Sequence, residues 1–207
     1  SQELLRMSSD SVVDERTLRE IYLTGFEIAV KEGRPKSIMS AYNKVNGTYA
    51  NDSAYLLTQI LREEWGFDGF VVTDWGGSND HVEGVKAGSN LEMPGTIGDS
   101  DKEIFAALKD GRITEEIIDQ RVDELLDVVL WTHPATSKEN ATFDQKAHHD
   151  LARAVAAQTA VLLKNEDGIL PLAQGTKVAV IGDMALEPRY QGAGSSMVNC
   201  TQLDKPV

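Results

Sequence analysis

The segment at residues 69–73, GFVVT, constrains this chain more than any other. It is apolar and β-branched, and five residues are too few for a helix. It ends abruptly at Asp74-Trp75-Gly76-Gly77. Helical patterns lie on both sides of it. Residues 14–32 repeat Leu18, Ile21, Tyr22, Gly25 and Ala29 at helical spacing before Gly33 and Pro35 stop them. Residues 53–65 place Leu57, Ile60, Leu61 and Trp65 on one face, with Asn51, Asp52 or Ser53 as cap and Gly66 as stop. A shorter run, residues 37–42 (SIMSAY), is of strand length, and Asn46-Gly47 behind it is a turn signal.

Downstream the alternation continues. A short helix is predicted around residues 81–86, and residues 89–93 (SNLEM) form a short strand candidate stopped by Pro94-Gly95. Residues 101–109 are helical. Residues 114–131 are amphipathic, with Thr114 as cap and Ile118, Val122, Leu125, Leu126 and Val129 as the buried stripe. Strands alternating with helices predict an α/β fold with parallel strands. Residues 133–145 break the pattern: they are polar, contain Pro134 and read as a linker. Residues 146–162 then predict a helix, and 177–181 (KVAVI), closed by Gly182-Asp183, predict a strand that opens a second α/β domain.

Composition removes several function classes. Of 207 residues, 33 are acidic and 20 basic, a formal charge of −13. That sign disfavours nucleic acid and anionic membranes as partners, because phosphate binding draws its affinity from Lys and Arg. A neutral substrate meets no such repulsion. No apolar run approaches the roughly 18 residues of a membrane helix. Cys200 is the single cysteine, which excludes an intrachain disulfide and a cysteine zinc site. The composition fits a reducing compartment, so a cytoplasmic location is the expectation. The chain opens with Ser1, not Met, and both ends read as cuts within a longer polypeptide.

Functional groups of parallel α/β folds collect at the carboxyl ends of the strands. Asp74 is placed there. From periodicity alone it reads equally as a reacting carboxylate or as the cap of the next helix. Trp75 offers a flat apolar face for a sugar ring, and Gly76-Gly77 allow close backbone approach. Tyr42 ends the preceding strand, where its phenol can reach a carboxylate or simply pack. Glu92 is a second strand-end carboxylate, and glycosidases need two. A salt-bridged loop residue is the preferred reading for it. His148-His149 point about 100° apart on a helix, so a solvated helix start is preferred over a metal site. His81 is read as structural. The loop at residues 192–196 lacks a complete phosphate-cradle motif and is read as a plain loop.

Four ordered segments carry a resemblance: SIMSAYNKVNG, LREEWGFDGFVVTDWGG, AGSNLEMPG and AVLLKNEDGILPL. Together they resemble glycoside hydrolase family 3, the β-glucosidase family, in order through nearly the whole chain. The resemblance implies the C-terminal part of a (β/α)8-type barrel over residues 1–132, a linker at 133–145, and the start of an α/β sandwich domain at 146–207. It implies a retaining exo-β-glycosidase with Asp74 as nucleophile. Substrate-binding residues implied with it are Arg6, which follows Ser1-Gln2-Glu3-Leu4-Leu5, together with Tyr42, Trp75, Met39 and Ser195. The family's Lys-His pair falls before Ser1 and its acid/base glutamate beyond Val207. Asn90 stands where many members have Asp, and Thr73 where many have Ser.

The expected substrate is a β-glucoside or oligosaccharide, with no metal and no organic cofactor. The expected partner is the remainder of the same polypeptide, and the chain alone is expected to be inactive. β-Xylosidase or β-N-acetylglucosaminidase specificity, or a silent carbohydrate-binding protein, are the alternatives. About three barrel strands cannot close a barrel, so an open edge is expected.

Overall fold

A computed structural model describes residues 4–139 and 141–206. The chain divides into two compact units, Ser1–Ala141 and Thr142–Val207.

The first unit begins with β1 (Asp10–Ser11). Helix α1 follows as three continuous segments, Glu15–Thr17, Leu18–Leu23 and Thr24–Gly33, the middle one wound to π pitch. Asp14 caps it by accepting the Thr17 N–H, and the left-handed Arg34 ends it. Strand β2 (Ser37–Met39) leads to a small hairpin of β3 (Lys44–Val45) and β4 (Thr48–Tyr49). Asn46 and Gly47 both hold positive φ, at 51° and 89°. That is the type I′ geometry an Asn-Gly pair favours. Helix α2 (Tyr55–Glu64) and strand β5 (Phe70–Val72) come next. They are followed by α3 (His81–Ala87), α4 (Asp99–Lys109) and α5 (Glu115–Thr136).

Strands β2 and β5 run parallel, with Ser37, Ile38 and Met39 opposite Phe70, Val71 and Val72. Leu91 bridges Val72 in parallel on the other side of β5. Within the segments predicted as strands, 37–39 and 70–72 pair, while 89–93 forms no strand and meets β5 only through the Leu91 bridge; the carboxyl ends of all three segments share one edge. Side chains alternate across such strands. Ile38 and Val71 turn toward the helices, where Val71 is fully buried with Val30, Leu57, Leu61, Phe67 and Ala87. A second cluster, Val82, Ala107 and Ile113, joins α3 to α4 and the start of α5. The unit is a partial α/β barrel, with helices on one face of a short parallel sheet.

Two local expectations are corrected here. The helix predicted to end at Trp131 continues through Pro134 to Thr136. Pro134 falls in the last turn, where its missing N–H removes only one bond. Thr136 Oγ1 and Ser137 Oγ both donate to the His133 carbonyl at 2.9 Å and hold that turn closed. The residues at 133–136 are thus helix, not linker. The expected buried stripe of α5 is also largely uncovered: Ile118 and Leu125 are half-buried, but Val122, Leu126 and Val129 are exposed. Tyr22 and Phe26 line an open groove of about 700 Å³, with Val12 and Leu56 also on its wall.

The second unit contains α6 (Gln145–Thr159), capped by Asp144 accepting the Ala147 N–H. Beyond it lie single turns at Glu166–Gly168, Asp183–Ala185 and Gly194–Ser196. The strand expected at 177–181 does not form among the described residues, and Val178, Val180 and Ile181 are exposed. A strand exists only against a hydrogen-bonded neighbour. No described segment supplies one to KVAVI.

Candidate active site

Asp74 stands two residues beyond β5, and Tyr42 three residues beyond β2. Parallel pairing puts these two positions next to each other. The Tyr42 hydroxyl donates to Asp74 Oδ1 at 2.8 Å, with the Trp75 carbonyl also in reach at 3.0 Å. The Trp75 backbone N–H donates to the same Oδ1 at 2.6 Å. Tyr42 is buried. Burial, and then its bond to the Asp74 carboxylate, push the phenol above the ordinary tyrosine range. It therefore stays protonated and remains a donor through neutral pH.

Arg6 reaches this pair from the N-terminal side. Its guanidinium lies 5.1 Å from the centroid of the Tyr42 ring, a cation–π distance. Ser1, Gln2 and Glu3, which precede it in the resembling segment, fall outside the described residues. Trp75 is 63% exposed beside Asp74, so its indole is available to a ligand. Met39 ends β2 and is also exposed. It lies on the strand face opposite Ile38. Ser195 belongs to the second unit, in the turn Gly194–Ser196.

The loop bearing Asp74 is tied down on both flanks. Thr73 N–H donates to the Leu91 carbonyl at 2.9 Å. The Thr73 hydroxyl donates to the Met93 carbonyl at 3.1 Å and accepts the Met93 N–H at 2.9 Å. Gly76 N–H donates to the Met93 carbonyl at 2.7 Å, and Gly77 N–H to the Asp74 carbonyl at 2.8 Å. A Cβ on Gly77 would lie 3.1 Å from that carbonyl oxygen, so the turn is drawn tight. The Thr73 hydroxyl both donates and accepts here, and a serine hydroxyl would serve equally. That is why threonine in place of serine is a mild change.

Glu92 is engaged elsewhere. It pairs with His81 at 2.7 Å and accepts from Ser100 Oγ at 2.6 Å, as the salt-bridged reading of Glu92 expected. His149 pairs with Asp204 at 3.0 Å, and the His148 ring lies 5.1 Å from that of Phe143. Among the described residues no cluster of His, Cys, Asp and Glu has the arrangement of a metal site.

Asn90, noted in the sequence only as standing where many family members have Asp, forms one further group. Asn90 Oδ1 accepts from Val71 N at 2.8 Å and from Arg62 Nη2 at 2.9 Å, while its Nδ2 donates to the Arg121 carbonyl at 2.9 Å and to Glu124 Oε2 at 2.7 Å. All four capacities of the amide are used. An aspartate there could not make the two donations.

Residues 8–128 match the model of the glycosyl hydrolase family 3 N terminal domain, and residues 160–207 match that of the family 3 C-terminal domain. The chain belongs to glycosyl hydrolase family 3. Its family 3 relatives include thermostable beta-glucosidase B of Acetivibrio thermocellus, 51% identical over 99% of this chain and 27% of that protein. An exo-alpha-(1->6)-L-arabinopyranosidase of Bifidobacterium breve is 42% identical over 98% of this chain and 28% of its own length. Among solved structures, beta-glucosidase 3B from Thermotoga neapolitana in complex with glucose superposes with a TM-score of 0.88 at 41% identity, over 95% of this chain and 28% of that one. The chain thus spans about a quarter of the length of the family 3 relatives it matches.

Proposed function

We propose that the protein carrying this family 3 chain hydrolyses terminal non-reducing β-D-glucosyl residues with retention, using Asp74 as nucleophile. Residues 1–132 then contribute to the catalytic barrel and 146–207 to the sandwich domain. The observation that carries the reading is the strand-end pair of Tyr42 and Asp74, 2.8 Å apart. Two donors hold Asp74 Oδ1, which leaves Oδ2 to attack the anomeric carbon. A bond forms between Oδ2 and that carbon as the bond to the glycosidic oxygen breaks. A carboxylic acid protonates the departing oxygen and then activates the water that releases the sugar.

A retaining site sets its two carboxyl groups about 5–5.5 Å apart. Glu92 is committed to His81 and Ser100, which supports an acid/base supplied from outside residues 1–207. Trp75 offers its exposed face to a sugar ring, Arg6 braces Tyr42 through its ring, and Met39 joins the set proposed to meet substrate. The bifidobacterial relative favours a second reading, in which the terminal sugar is an arabinopyranose rather than glucose.

The test uses the full-length polypeptide. Asp74→Asn is expected to abolish turnover of aryl β-glucosides while leaving thermal unfolding unchanged. A 2-deoxy-2-fluoro-glucoside is expected to label Asp74 covalently. A label on Glu92 would overturn the assignment. Faster turnover of an aryl α-L-arabinopyranoside than of the β-glucoside would decide for the second reading.

A further inference from the structure

His81 is the first residue of α3, outside the Tyr42–Asp74 pair, and it joins three segments. Its Nε2 lies 2.7 Å from Glu92 Oε1, in the loop after Leu91, and its Nδ1 lies 2.7 Å from Glu103 Oε2, on α4. A carboxylate on each ring nitrogen requires a proton on both, so the ring is an imidazolium. The second oxygen of Glu92 accepts from Ser100 Oγ, which is itself 2.6 Å from Thr96 Oγ1. Glu92 is therefore fixed from α3 and from α4 together.

The residue after Glu92 is Met93, whose backbone holds both sides of Asp74. Its N–H and carbonyl bond the Thr73 hydroxyl, and the carbonyl also takes the Gly76 N–H. We infer that His81 is a positioning residue for the reaction: its imidazolium locks the Glu92–Met93 segment and so fixes the loop that carries Asp74. This inference rests on the reading of Asp74 as nucleophile.

The surroundings of His81 are anionic. Glu92 comes from the strand-end loop and Glu103 from α4, and Asp101 of α4 lines the same pocket of about 230 Å³. Asp80 precedes it on its own element and takes the Glu83 N–H, while Asp52 accepts the Asp80 N–H at 3.3 Å. Neither lysine nor arginine is among the residues lining the pocket. Burial opposes the imidazolium, but the bonds from Glu103 and Glu92 outweigh it and raise His81 above its ordinary value. A histidine raised in the folded state stabilises fully below its unfolded value, about 6.5, and the contribution is lost as pH rises through the folded value. Above that point the lock opens, and the Met93 backbone that holds both sides of Asp74 loses its brace.

The experiment measures covalent labelling of Asp74 in the full-length protein by 2,4-dinitrophenyl 2-deoxy-2-fluoro-β-glucoside across pH. Dinitrophenolate leaves without a proton, so the rate reports attack by Asp74 and not the acid/base. The wild-type rate is expected to fall about tenfold as His81 loses its proton, since small misplacements of a reacting group cost one to two orders of magnitude. His81→Arg keeps a cation at every pH and is expected to hold the plateau where wild type falls. His81→Gln is expected to label about tenfold slower than the wild-type plateau throughout. A His81→Arg rate that falls with pH as wild type does, or a His81→Gln rate equal to wild type, would overturn the inference. If His81→Gln does not fold, the His81→Arg profile alone decides. A protein that never labels at Asp74 refutes the nucleophile reading instead, so the two failures are distinct.

Discussion

Replacing Tyr42 by phenylalanine removes one oxygen and leaves the ring in place. The ring is what packs beneath Arg6 and against the Asp74–Gly77 turn, so the fold should survive the change. What disappears is the 2.8 Å bond to Asp74 Oδ1. Hydrogen bonds to a charged acceptor contribute about 1.5–3 kcal/mol. If that energy is spent on holding the carboxylate in line for attack, kcat/KM falls by about 10- to 150-fold, because each 1.4 kcal/mol is a factor of ten. The phenol is raised above the ordinary tyrosine value of about 10, so it donates at every pH the assay uses. The ratio of wild-type to Tyr42→Phe rates should therefore stay flat from about pH 5 to about pH 9. The assay is stopped-flow release of dinitrophenolate from an aryl β-glucoside by the full-length enzyme. A loss smaller than about twofold, or a ratio that collapses near neutral pH, would refute the reasoning, since neither is compatible with a protonated donor of this strength.

Two further substitutions test the scaffold. Asn90→Ala strips the buried Val71 N–H of its acceptor and removes partners from Arg62 and Glu124. It should cost about 3 kcal/mol, read as a shift in the urea midpoint, and a cost below about 0.5 kcal/mol would show that the amide is not needed. Gly69→Ala would drive a Cβ to 2.3 Å from the Lys36 carbonyl oxygen. Backbone cannot move aside as a side chain can, so β2 and β5 must part. A loss of about 3 kcal/mol is expected, and thermal unfolding at the wild-type midpoint would contradict it.

Much of the first unit was legible because its signals are local. GFVVT is a strand by composition, Asn46-Gly47 is a turn by backbone preference, and Asp74 and Tyr42 stand where strand ends meet. What stayed hidden depends on residues far apart in sequence. Nothing near Asn90 announces that its amide will join Val71, Arg62, Arg121 and Glu124. Nor does the position of His81 reveal that two carboxylates from separate elements will close on it. Its place at a helix start, eleven residues before a strand-end glutamate, was the only available hint. Pro134 misled because a proline usually stops a helix, yet in a final turn the loss is small and nearby hydroxyls offset it. KVAVI misled because apolar alternation shows what a segment can pair as, not whether a neighbour is present. For α5 the periodicity picked out an apolar face, yet Val122, Leu126 and Val129 on it are exposed, because periodicity says nothing about what covers a face.

The parallel register of β2 and β5 has a consequence for how this chain brings distant residues together. Ser37 lies opposite Phe70, a separation of 70 − 37 = 33 residues, and α2 (Tyr55–Glu64) lies within the interval. The entropy of closing such a loop grows only with the logarithm of its length. Leu57, Leu61 and Phe67 of the core cluster lie inside it, and Val71 stands next to its end. The Tyr42–Asp74 pair is a by-product of the same closure, 32 residues apart. The strand–helix–strand unit thus brings its two strand ends together through contacts largely of its own, and the Tyr42–Asp74 pair comes with it.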